Sequence, residues 1–170
     1  MRSLRALGVY AVLTVALTWP FAANLRVMDA GDSAFFAWEI GWTVHALQTD
    51  PGQLPHANIF HPLRYTLGMD EPVLGTTVLV LPLALFTDDA VLLYNVARLL
   101  TWLFSALAAY WLARELGVPE WIALLAGALF AFSPIRTDQV AHLSTLGTQW
   151  WPLVLLFTFR FARKNRPRDA

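Results

Sequence analysis

ALGVYAVLTVALTWPFAANL, residues 6–25, carries no charge and delivers the chain directly to Asp29-Ala30-Gly31-Asp32-Ser33. About 20 apolar residues are what a helix needs to cross the hydrocarbon core of a bilayer. The basic lead Met1-Arg2-Ser3-Leu4-Arg5 precedes the run, Trp19 holds the place of an interfacial aromatic, and Pro20 is set to kink the last turn. A cleavable signal peptide competes for this stretch, since a basic start, an apolar core and Phe21-Ala22-Ala23 fit that pattern loosely. The run is long for such a leader, and the apolar segments further on mark a multispanning chain. Either reading puts the chain just beyond Leu25 outside the cytoplasm.

Composition supports the membrane reading. Hydrophobic residues make up 57% of the 170 and charged ones 14%, against roughly 45–50% and about 25% in soluble domains. Twelve basic residues balance twelve acidic ones, which leaves no basic stripe for nucleic acid. Cysteine is absent, so disulfide frameworks, thiolate nucleophiles and cysteine metal sites are excluded. Neither G-x-G-x-x-G nor a P-loop occurs, and no nucleotide cofactor is expected.

Outward from the acidic pair, residues 33–48 read as a helix lying along the membrane surface, with Asp32 as its N-cap. Thr49-Asp50-Pro51-Gly52 ends it with turn chemistry. Residues 54–71 form an ordered outer loop, in which His56 and His61, five apart, are badly spaced for one helical metal face. Residues 72–86 are apolar but short, a re-entrant or interfacial segment rather than a span. Asp88-Asp89 cap the next helix. Further spans are expected near 91–113, 120–134 and 143–161, followed by a tail rich in Arg and Lys. The expected fold class is thus an all-α integral membrane protein with about four transmembrane helices, one module over 1–170. If 72–86 does not cross, Arg2, Arg5, Arg114 and the basic tail share one side, the cytoplasm by the positive-inside rule. Both termini are then cytoplasmic in a plasma membrane, and Asp29, Asp32, Glu71, Asp138 and His142 all lie on the outer face.

This order of features resembles the N-terminal part of the GT-C superfamily of membrane glycosyltransferases, which use polyprenyl-phosphate-linked sugars. The resemblance rests on five stretches in order: Asp29-Ala30-Gly31-Asp32 with its surface helix, Glu71-Pro72-Val73-Leu74-Gly75-Thr76, Asn95-Val96-Ala97-Arg98, Leu112-Ala113-Arg114-Glu115-Leu116-Gly117, and the span before Ser133-Pro134 with its polar sequel to His142. Members of the family have many more spans and usually a soluble outer domain, so the chain corresponds to the front of such an enzyme. The resemblance implies inverting transfer from a polyprenyl-phosphate sugar to a lipid-linked or cell-surface glycan acceptor, with Asp32 or Asp29 as general base.

The leaving phosphate requires positive charge or a metal. Arg136 and His142 stand in the second outer loop as candidate substrate-binding residues, and Glu71 stands at the start of the segment nearest the pocket. Asp138 and His142, four apart, share one face of any helical turn. With Asp32 they form a candidate divalent-metal set for Mg or Mn. Plainer readings exist: Asp32 as a helix cap, Asp138 and His142 as a solvated loop, Arg98 as a headgroup-snorkelling cation. A non-enzymatic transporter or assembly subunit is the rival function, and an inactive fragment of a glycosyltransferase is the other alternative. A transporter would carry ionisable residues near the midplane of its spans, whereas here the charges collect in the outer loops.

Overall fold

The computed structural model describes residues 2–164; Arg166 and Arg168 of the basic tail lie outside them. Among the described residues the chain is all-helical, with no strand. Nine α-helical elements appear there: α1 (Arg2–Leu17), α2 (Ser33–Thr49), α3 (Leu74–Thr77), α4 (Leu81–Ala84), α5 (Ala90–Glu115), α6 (Glu120–Ala131), α7 (Pro134–Asp138), α8 (Leu143–Leu146) and α9 (Trp150–Lys164).

α5 is the axis of the molecule, with α1, α2, α6 and α9 packed around it. Its start agrees with the sequence expectation: the Asp89 carboxylate accepts the Leu92 N–H at 3.0 Å, satisfying a donor that the first turn leaves open. Its end is set by Gly117, whose φ of 85° turns the chain in the left-handed region that glycine tolerates best. With 26 residues and an 18-residue stretch of mean hydropathy 1.5, α5 is long and apolar enough to cross a membrane, and among the described residues it is the one helix that is.

Of the expected all-α membrane protein with about four transmembrane helices, the all-α part holds among the described residues, where α5 is the one candidate span. α1 stops at Leu17 because Pro20 has no N–H to continue the ladder, and one 3₁₀ turn, Phe21–Ala23, comes next. α6 stops at Ala131, just before Ser133-Pro134, where proline disfavours helical backbone in the preceding residue. Residues 143–161 are two elements, α8 and α9, divided at Gly147-Thr148. At 1.5 Å per residue α1, α6 and α9 reach only about 18–24 Å. α2, by contrast, falls within one residue of the expected 33–48. The segment 72–86 holds two single-turn helices, α3 and α4, packed with α2 on the first half of α5.

Two clusters of buried side chains hold the bundle. Near the start of α5, Phe36, Ile40 and Val44 of α2 meet Val80, Leu93, Tyr94 and Ala97. Toward its end, Ala6 and Tyr10 of α1 meet Ala106, Leu107, Tyr110 and Ala123. Gly127 of α6 permits this crossing, since a Cβ there would collide with the Tyr10 hydroxyl and the Ala106 carbonyl. Charges segregate between the two ends of α5. Arg26 pairs with Asp89 (3.4 Å) at the first end, while Arg160 (2.8 Å) and Arg163 (3.3 Å) pair with Glu115 at the second. The outward faces between these ends are apolar: Val12 and Val15 on α1, Leu125 and Leu129 on α6, Phe157 and Phe161 on α9 are all exposed.

Candidate functional site

The acidic motif is held in place by two consecutive side chains of α5. Asn95 donates through Nδ2 to the carbonyls of Leu25 and Val27, both at 2.9 Å, and so ties down the approach to Asp29. Tyr94 donates its hydroxyl to Ser33 Oγ (3.1 Å) and the Ala141 carbonyl (3.4 Å). It thereby joins the residue after Asp32 to the residue before His142. Between the two aspartates Gly31 takes a φ of 85°, which turns the chain into α2.

These ties bring two carboxylate contacts to the same end of α5, one with an arginine and one with a histidine. Asp29 Oδ2 lies 2.7 Å from Arg98 Nη1, and Asp32 Oδ2 lies 2.8 Å from His142 Nε2. Asp32 precedes the first residue of α2 but makes no side-chain capping bond; its carboxylate is turned to the histidine instead. Asp29, Asp32 and His142 are all about half exposed and open to a substrate.

Arg98 is different, being fully buried in the third turn of α5. One Nη reaches Asp29 and the Asn95 side-chain oxygen (3.1 Å), and the guanidinium lies 4.2 Å over the Phe21 ring. Its Nε and other Nη have no partner, and neither has the indole nitrogen of Trp102 one turn on. Arg98 and Trp102 line a cavity of about 190 Å³ whose other walls include Leu17, Phe21, Phe132 and Val140, with Asp29 at its edge. Unpartnered buried donors are costly, and Arg98 Nε, its second Nη and Trp102 Nε1 are such donors, enclosed by protein in two residues that border this cavity.

The remaining sequence candidates are distributed otherwise. Arg136 is buried and faces inward, its two terminal nitrogens spent on Thr148 Oγ1, Ser105 Oγ (2.8 Å) and the Leu146 carbonyl (2.7 Å). Burial pushes its guanidinium down to about 10. Asp138 is exposed on a shallow depression with Pro134, Ile135 and Thr137 and does not join Asp32 and His142. Among the described residues no group of three His, Asp or Glu is set to hold a metal ion, the expected Asp32–Asp138–His142 set included. Glu71 is exposed at the rim of a second cavity, walled by the strap 71–76 and by Ser144, Gly147 and Trp150. His56 is tied into its own loop, accepting the Tyr65 N–H at 3.1 Å.

Sequence reasoning missed two residues. Arg98 announced itself only as a charge inside an apolar run, a signal of function in a membrane chain. Glu39 counts in the sequence only as a charge that keeps residues 33–48 along the membrane surface, yet it is buried and accepts the Val73 N–H at 2.7 Å, while its second oxygen has no partner. Burial first of all raises its carboxyl to about 7; the Val73 bond opposes the rise and nearby Asp70 adds to it.

No protein-family model matches the chain, and no curated protein or solved structure matches it either.

Proposed function

We propose that the chain is a membrane glycosyltransferase module of GT-C type, moving a sugar from a polyprenyl-phosphate donor to a lipid-linked or cell-surface acceptor. The observation that carries this reading is the convergence of Asp29–Arg98 and Asp32–His142 beside an apolar cavity bordered by Arg98 and Trp102. In the proposed step the acceptor hydroxyl gives its proton to the Asp32–His142 pair. Its oxygen bonds to the anomeric carbon with inversion as the bond from that carbon to the phosphate oxygen breaks. The polyprenyl phosphate leaves with the electron pair and is met by Arg98, whose charge is in part balanced by Asp29.

The membrane setting is part of the proposal. Among the described residues α5 is long and apolar enough to span a bilayer, and the exposed apolar faces of α1, α6 and α9 support lipid on their outer side. Arg160, Arg163 and Lys164 at the end opposite the acidic motif support a cytoplasmic C-terminus, with the motif on the outer face of the plasma membrane.

The test is transfer of radiolabelled sugar from polyprenyl-phosphate donors in membranes that contain the protein, beside Asp32→Asn. Donor-dependent transfer should fall by about 10²–10⁴-fold in the variant at equal expression. Transfer that survives the substitution removes Asp32 from the chemistry, and its absence with every donor from a correctly inserted protein overturns the enzyme reading.

A further inference from the structure

The second cavity, about 260 Å³, opens between the strap that leads into α3 and the turn that joins α8 to α9. Its walls are Glu71, Pro72, Val73, Gly75, Thr76, Ser144, Gly147 and Trp150. Two glycines allow the strap and the turn to approach. A Cβ on Gly75 would stand 2.8 Å from the Trp150 indole nitrogen, and one on Gly147 would stand 3.0 Å from Thr76 Oγ1. Glu39 fixes the strap from behind through its bond to Val73 N.

The lining defines a ligand class. It offers one carboxylate acceptor, two hydroxyls, an indole N–H and an indole face, and no cation. An anion is repelled there by Glu71. A ligand with many hydroxyls and a flat apolar side satisfies the donors, the acceptors and the ring together. The volume is smaller than the ~300–1,000 Å³ of pockets for drug-sized ligands, which suits a single ring. Ser144 lies in the first turn of α8, two residues beyond His142, so the chain itself links this cavity to the Asp32–His142 pair.

We infer that this cavity is a subsite for one neutral pyranose ring of the acceptor glycan, held by Glu71, Thr76, Ser144 and Trp150. The inference rests on the glycosyltransferase reading for the word acceptor, but its binding claim is tested without transfer. Methyl pyranosides of glucose, mannose, galactose and N-acetylglucosamine are titrated against the detergent-solubilised protein by saturation-transfer NMR, with tetramethylammonium and inorganic phosphate as controls. At least one pyranoside should bind saturably, and Glu71→Gln and Gly75→Ala should each weaken it by about tenfold or more. Glu71 is exposed, so its variant tests the site even if Gly75→Ala fails to fold. Three results overturn the inference: no pyranoside binds, tetramethylammonium binds instead, or both folded variants bind unchanged. A pyranoside that binds but blocks donor hydrolysis competitively would make the cavity the donor's own sugar site, and the acceptor assignment falls. Pyranoside binding that persists where no donor is ever turned over leaves the subsite standing while the transferase reading fails.

Discussion

Arg98 and Arg136 are both buried cations within reach of α5, and they are used in opposite ways. Arg136 spends its terminal nitrogens on three neutral oxygens contributed by α5, α8 and the turn after it. It clamps the loop that carries His142. Arg98 spends one nitrogen on Asp29 and Asn95 and leaves two others without partners beside a cavity. Arg136 uses both terminal nitrogens and leaves only its Nε without a partner, whereas Arg98 leaves Nε and one terminal nitrogen without partners. Position in the sequence suggests the reverse, with Arg136 on the phosphate and Arg98 among the headgroups.

The contrast breaks most visibly at Arg98. Arg98→Lys keeps the charge for Asp29 but removes the planar fork of donors. We expect sugar transfer to drop about 10²–10³-fold, the scale of losing one oriented donor to a developing oxyanion, while the thermal midpoint in detergent changes little. Transfer at the original rate would mean that the free N–H groups meet no substrate oxygen, and the distinction between the two arginines would be lost.

Arg136→Met reverses the pattern. It strands Ser105 Oγ and the Leu146 carbonyl in a buried setting, at a cost of about 1–3 kcal/mol. Thermal unfolding should report that loss, and any fall in transfer should track the folded fraction. A folded Arg136→Met protein with wild-type stability and abolished transfer would restore Arg136 to the phosphate.

What made one arginine legible and the other not is the range of the interactions. Turn and cap chemistry is local, so Asp89 at the head of α5 and Asp50-Pro51-Gly52 at the foot of α2 could be read from a few residues. Hydropathy located α5. It overran α1, α6 and α9, because a charge-free run continues through Pro20, Ser133-Pro134 and Gly147 while the helix does not. The acidic motif stood out in the sequence through its two aspartates and its position. Its partners were not: the bonds of Tyr94 to Ser33 and Ala141 span 61 and 47 residues, and nothing nearby in the chain foretells them. The same holds for the metal set. Spacing put Asp138 and His142 on one helical face, but α7 ends at Asp138 and His142 only heads α8.

Glu39 gives the smallest effect and sharpens the comparison with a third buried charge, this time an acid. Its carboxyl is raised from 4.5 to about 7 chiefly by burial, so the native state binds its proton more tightly than the unfolded chain does. By linkage, stability from this group is complete below about pH 4.5, declines as pH rises toward 7, and is constant above. The span corresponds to at most about 3 kcal/mol. Glu39→Gln fixes the neutral form, so the stability of the variant should lack this decline, which midpoints measured between pH 4.5 and 8 will reveal. The amide oxygen still accepts from Val73 N and keeps the strap in place. Pyranoside binding should therefore survive in Glu39→Gln and weaken in Glu39→Ala, where the strap loses its tether. Equal binding in the two variants would show that the strap holds its shape without Glu39, leaving this acid, unlike Arg136, with no clamping role.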